Sequence, residues 1–316
     1  MDKTRTASKL QTLKTTDGTF GLIDLMLLAM IFIWGINFAV VKAALAEMTP
    51  LSFNSLRFLL ASALTLLSLR LIERDMGFAK GDWWRLLGLG LIGNTCYQLL
   101  FINGINHTTA GNSALLLATT PIFVSLIGAA FGVERVGKLA WVGVFLSLAG
   151  IFMVIIGSGK ELGLAKETIS GDILVLIGAA AWSVYTVLSK PMLSRYSALK
   201  LTALAMAAGT PFIVLFSIPQ LLAQDWAAVS WQGWLGLFFS GSMAIALAYI
   251  IWNSGVSKVG GARTAVYSNL SPVIAAIFAW LTLGEAITAF MVVGAVMIFL
   301  GIYLTRKSGQ SQGNRP

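Results

Sequence analysis

The chain has 316 residues, of which 57% are hydrophobic and only 11% charged. A soluble domain of average composition carries roughly 25% charged residues, so the deficit excludes a soluble globular protein and implies a polytopic membrane protein. The net charge of +9 needs no nucleic-acid partner, because basic residues collect in cytoplasmic loops. The single cysteine, Cys96, excludes a disulfide framework and a Cys-based metal site.

Residues 1–21 are polar, carry Lys3, Arg5, Lys9 and Lys14, and read as a cytoplasmic tail without a removable signal peptide. Apolar segments of bilayer-spanning length follow. They are predicted near 22–43, 52–72, 84–105, 109–131, 136–157, 171–192, 198–219, 232–254, 260–283 and 286–305. The sequence therefore predicts an all-α integral membrane protein with ten transmembrane helices. The predicted division is a five-helix unit over 22–157, a connecting loop at 158–170, a second five-helix unit over 171–305 and a tail at 306–316.

With the amino terminus placed in the cytoplasm, 18 of the 22 lysines and arginines fall on the cytoplasmic side. Only Lys160 and Lys166, in the central loop, lie outside, and Lys42 and Arg57 fall within spans. This distribution places both termini in the cytoplasm of a multi-pass protein of the cell inner membrane.

Two apolar stretches organise the chain, Ala110 to Glu134 and Gly261 to Glu285. Pro121 and Pro272 stand 151 positions apart, as do Glu134 and Glu285, Gly104 and Gly255, Gly143 and Gly294, and Gly150 and Gly301. At an offset of 148, Asp24 meets Asp172, Trp34 meets Trp182 and Lys42 meets Lys190. An internal repeat of five spans flips its second copy, so two inverted five-helix repeats are expected. Prolines that break corresponding helices of two halves point to a transporter's binding site. Pro121, Pro272, Glu134 and Glu285 are thus candidates for helix break and gating.

The run Trp34-Gly35-Ile36-Asn37-Phe38, the pair Arg57-Phe58, and the fourth and ninth spans with their proline and terminal glutamate resemble the EamA-type branch of the drug/metabolite transporter superfamily. The resemblance covers about residues 20–305. It implies ten helices in two inverted halves, a central cavity lined mainly by helices 1, 3, 4, 6, 8 and 9, and export of amino acids or other small metabolites.

Four spans carry aromatic, amide or hydroxyl residues at i, i+3 and i+4, which places each trio on one helix face. The trios are Trp34/Asn37/Phe38, Asn94/Tyr97/Gln98, Trp182/Tyr185/Thr186 and Tyr249/Trp252/Asn253. Interhelical hydrogen bonding is the plain explanation for any one amide. Four such faces on repeat partners point to a cavity for a small molecule that is part apolar and part polar, such as an amino acid. The candidate substrate-binding set is completed by Phe101, Asn112 and Tyr267. The fourth and ninth spans would add Ser113, Thr119, Thr120, Asn269 and Ser271 to the lining, though Thr119 and Thr120 are expected to bond carbonyls freed by Pro121 instead.

Lys42 and Arg57 lie toward the outer ends of their spans, where snorkelling, a backbone contact or a substrate carboxylate could each explain them. No Asp or Glu falls at mid-span, so the usual proton-relay carboxylate is missing. Gly88, Gly90 and Gly93 match a dinucleotide fingerprint but sit inside a span, where small residues serve packing. Trp83, Trp84, Trp141, Trp226, Trp231 and Trp234 read as an interfacial belt. No cofactor and no metal site is expected, and no catalytic residue. Partners are a small-molecule substrate and the lipid bilayer; monomer and homodimer stay open. The rival readings are a carrier of nucleotide-sugars or drugs and an integral-membrane enzyme acting on lipid.

Overall fold

A computed structural model of the protein describes residues 21–108, 113, 116–133, 136–157, 169–271, 273–274, 277 and 287–308, the side chains of 155, 157 and 306 excepted. Among the described residues the regular elements are all helical. The first half contributes α1 (Leu22–Ala44), α2 (Pro50–Ile72), α3 (Lys80–His107), α4 (Thr120–Ala130) and α5 (Lys138–Gly157). The second contributes α6 (Ile169–Leu193), α7 (Ala198–Ala223), α8 (Trp231–Val259), α9 (Gly261–Tyr267) and α10 (Ala289–Ser308). Six of them, α1, α2, α3, α6, α7 and α8, are long and apolar enough to cross a bilayer. The predicted fourth and ninth spans fall partly outside the described residues.

Helix starts follow local chemistry. Pro50 opens α2, where its missing N–H costs nothing. The Ser197 hydroxyl accepts from Lys200 N at 3.0 Å to cap α7, and Ser230 accepts from Gly233 N at 3.1 Å to cap α8. Pro121 stands in the first turn of α4, directly after a turn at 118–119. Thr119 and Thr120 donate to the carbonyls of Leu116 and Leu117 at 2.5 and 2.6 Å, as expected of hydroxyls beside a helix break.

The two halves meet through residues that are their own repeat partners. Ser62 Oγ lies 2.7 Å from Thr210 Oγ1, 148 positions along the chain, where α2 crosses α7. Ser147 Oγ donates to Ile298 O at 3.4 Å, 151 positions along, where α5 crosses α10. Around that crossing a Cβ on Gly143 would stand 2.5 Å from Gly301 O, and one on Gly150 would stand 2.6 Å from Gly294 O. The two helices therefore run antiparallel, and the repeat offset converts each glycine contact into the other. Self-complementary contacts of this kind belong to a two-fold relation. The glycines let the backbones close without a side chain between them, the usual device where lipid gives no hydrophobic drive for helix association.

Outside these crossings the long helices expose large apolar side chains. Leu215, Phe216 and Leu222 on α7 and Phe290, Phe299 and Leu300 on α10 are exposed, while Gly301 and Ile298 face the crossing. Trp83, Trp84, Trp231 and Trp234, at the starts of α3 and α8, are exposed as an interfacial belt requires.

Candidate functional site

Between the halves lies a cavity that is partly open to the outside. Its lining is Trp34, Asn37 and Phe38 of α1, Arg57 of α2, Tyr97, Gln98 and Phe101 of α3, Trp182 of α6, and Ala244, Ile245, Tyr249 and Trp252 of α8. Leu117 and Thr120, beside the break before α4, and Ser268 and Ser271, just beyond α9, complete it.

Two irregular turns set which side chains reach this space. Residues Gly90–Cys96 of α3 and Ser240–Leu247 of α8 are wound as π-helix, at corresponding positions of the two halves. A π turn adds a residue per turn and re-aims everything after it. Tyr97, Gln98 and Phe101 leave the first such segment facing the cavity, and Tyr249 and Trp252 leave the second. The widened turn also offers a carbonyl, since Trp34 Nε1 donates to Ala244 O at 2.8 Å.

The walls are aromatic. Trp182 is the hub, with ring centroids 4.8 Å from Tyr249, 4.9 Å from Tyr97, 5.0 Å from Tyr185 and 5.3 Å from Trp252. It also meets its own repeat partner, Trp34, edge-on at 6.3 Å. Pairs at these separations prefer tilted and edge-to-face contact, and each adds about 0.5–1.5 kcal/mol beyond burial. Trp252 is fully buried and donates from Nε1 to Thr186 Oγ1 at 3.2 Å, closing the cavity on that side. Phe38 and Leu117, on the other side, are only half-buried.

Polar groups are few and ordered. Arg57 donates from Nε and Nη2 to Asn54 Oδ1 at 2.9 and 2.7 Å, from Nη2 to Gln98 Oε1 at 2.7 Å, and from Nη1 to Ser240 Oγ at 3.2 Å. Gln98 Nε2 in turn donates to the Tyr249 hydroxyl at 2.6 Å. Asn37 is 9% exposed, and its Oδ1 has no hydrogen-bond partner. The described lining holds no carboxylate, imidazole or thiol.

Nine candidates from the sequence share this cavity: Trp34, Asn37, Phe38, Tyr97, Gln98, Phe101, Trp182, Tyr249 and Trp252. Four lie elsewhere. Asn94 sits inside the π turn, which rotates it off the face of Tyr97 and Gln98, and its Cβ packs toward Gly209 of α7. The Tyr185 ring is wedged against Gly93, where a Cβ would come within 2.2 Å of it. Asn253 donates from Nδ2 to the Tyr185 hydroxyl and to Thr202 Oγ1, both at 2.8 Å, tying α8 to α6 and α7. The Tyr267 hydroxyl donates to Asp24 in the first turn of α1. Asn94, Tyr185 and Asn253 belong to predicted faces of which only part borders this cavity: an i, i+3, i+4 spacing gives a stripe, and a cavity meets only part of a stripe's length. Asn112, Pro272, Glu134 and Glu285 lie outside the described residues.

Arg57 and Lys42 resolve differently. Lys42 Nζ donates to Thr108 O at 2.9 Å, the backbone contact considered for it. Arg57 does not snorkel; it is 1% exposed and stands about 10 Å along α2 from Pro50, at 1.5 Å per residue. Leu117, Ala244, Ile245 and Ser268 carried no signal in the sequence, being ordinary residues placed by the helix break and the π turn.

An aromatic chamber whose described lining has one fixed cation, one amide oxygen without a donor and a few hydroxyls can hold a small part-apolar solute. Comparison with known proteins agrees with a transport role. The EamA-like transporter family matches residues 21–156 and again residues 169–307. An "Uncharacterized transporter" of Archaeoglobus fulgidus is 33% identical over 89% of this chain and 96% of its own length. The "Uncharacterized transporter YyaM" of Bacillus subtilis is 26% identical over 89% of this chain and 92% of its own. A Streptantibioticus cattleyicolor protein named "Probable terminal-alkyne amino-acid exporter" is 28% identical over 69% of this chain and 71% of its own. A solved crystal structure superimposes with a TM-score of 0.72 over 92% of this chain and 98% of that one, at 18% identity, a likeness of fold alone.

Proposed function

We infer that this chain, which belongs to the EamA-like transporter family and is a multi-pass membrane transporter, moves amino acids or related amphipathic metabolites outward across the cell inner membrane by alternating access. Ten spans in two inverted halves, 22–157 and 171–305, place both termini in the cytoplasm. The antiparallel crossing of repeat-equivalent helices α5 and α10 supports the inversion, because an in-plane two-fold axis relates helices of opposite direction. On that orientation the cavity opens toward the outer face past Phe38 and Leu117, and is shut toward the cytoplasm by Trp182, Tyr249 and Trp252.

One observation carries this reading. The cavity is lined by both halves, and repeat partners meet each other in its walls: Trp34 with Trp182, and Gln98 with Tyr249. A site on the pseudo-two-fold axis looks the same from either side, so rocking the halves exposes it in turn to the two faces. The exporter name of the Streptantibioticus cattleyicolor relative supports the substrate class. Among the described residues the lining has one cation, Arg57, and one cation fits one carboxylate better than the two phosphates of a nucleotide-sugar. The purified chain in liposomes loaded with unlabelled solute should take up labelled amino acids by counterflow. Uptake equal to that of empty liposomes, across amino acids and other metabolites, would refute the function.

A further inference from the structure

The guanidinium of Arg57 is the one charged group of the described lining, and all its protein partners are neutral: Asn54, Gln98 and Ser240. The Phe53 ring lies 5.2 Å from its Cζ. Among the described residues no carboxylate reaches ion-pair distance of it. Four of its five N–H groups are taken, which leaves one N–H of Nη1 unclaimed. A buried cation among dipoles is costly in a membrane interior and is kept where something else supplies the counter-charge. The same cavity holds the opposite deficiency. Asn37 Oδ1 is a buried acceptor without a donor, and a buried unmade hydrogen bond also calls for a partner.

We propose that Arg57 is the group that reads a substrate carboxylate, and that Asn37 Oδ1 receives the substrate's ammonium. The cavity thereby selects molecules with a carboxylate against amines and neutral amphipaths of the same shape. Asn54 and Gln98 act as positioning residues: each accepts from the guanidinium, so the fork is held ready before the substrate arrives. The Tyr249 hydroxyl orients Gln98 for this task. The inference rests on the reading of the cavity as the transport site and adds which end of the solute goes where.

The test uses two solute bodies, leucine and phenylalanine, each as the free amino acid, the amide and the des-amino acid. Binding is read from tryptophan fluorescence of the purified chain, and movement from counterflow in liposomes. The free amino acids should bind at least about tenfold more tightly than the amides, a difference of one lost charge-assisted contact. The des-amino acids should fall between them, and Asn37→Ala should abolish the gap between amino acid and des-amino acid. Gln98→Glu sets a fixed carboxylate against Nη2, so it should weaken the amino acids about tenfold or more without lowering the melting temperature of the unliganded protein. Arg57→Lys, which keeps the charge and loses the fork, should weaken them too. Amides bound and moved as well as the acids would overturn the inference and leave the transport function standing. So would unchanged amino-acid binding in folded Gln98→Glu or Arg57→Lys protein. If no solute moves at all, the transport function falls together with the inference.

Discussion

Gln98 and Tyr249, 151 positions apart in the chain, are hydrogen-bonded to each other at 2.6 Å in the wall of the cavity. They are equivalent residues of the two halves, on helices that both carry a π segment just before them. The two equivalent positions meet here as complementary donor and acceptor. Tyr249→Phe leaves the buried Gln98 amide without its acceptor, at a cost of roughly 1–3 kcal/mol. It also frees Gln98 to turn away from Arg57. The variant should fold, melt lower, and transport less, whereas a variant with unchanged melting and transport would deny the pair a role.

The crossing of α5 and α10 should be the least forgiving contact in the molecule. A side chain at Gly301 meets Ser147 Oγ at 2.1 Å and Gly143 O at 2.4 Å, and neither neighbour can retreat far. Gly301→Leu is expected to cost roughly 3 kcal/mol or more through forced separation of the helices. Gly88→Ala, where a Cβ meets nothing within 4 Å, should instead be neutral or stabilising by up to about 1 kcal/mol. Thermal unfolding in detergent checks both; equal effects would deny that the crossing is close-packed.

Much of this architecture was legible in the sequence because the repeat writes its landmarks twice. Prolines, glycines and tryptophans at constant offsets pointed to two halves, and Trp34 on α1, Trp182 on α6 and Tyr249 and Trp252 on α8 do border the cavity. The π segments were not legible: nothing in Gly90–Cys96 or Ser240–Leu247 favours a wide turn locally, and tertiary packing imposes it. Asn94 was misplaced for that reason. Arg57 looked like an end-of-span cation because arginine in hydrocarbon is costly, and only the folded chain shows Asn54, Gln98 and Ser240 gathered around it.

Topology gives a direct check on the inversion. Reporter fusions after Gly157 and after Arg306 should report opposite sides of the membrane, the first outside and the second inside, as the distribution of basic residues requires. Both fusions on one side would end the five-plus-five arrangement.

Proton coupling through a mid-span carboxylate is not expected, since the described cavity lining includes no Asp, Glu or His. In liposomes with the membrane potential clamped, a pH gradient imposed without a substrate gradient should drive no net accumulation. Concentrative uptake that disappears in Glu134→Gln or Glu285→Gln would make that glutamate the coupling group instead.

The central claim is that the space shared by the two halves is where the transported solute sits, and labelling tests it most directly. Leu117 lines the cavity on its half-buried side, so Leu117→Cys in a Cys96→Ser background puts one thiol at the mouth. A membrane-impermeant maleimide added outside should label it, and an amino acid shown to undergo counterflow should slow that labelling by about tenfold at saturating concentration, as occupancy of a shared site requires. Labelling at the same rate with and without the transported solute would contradict the claim.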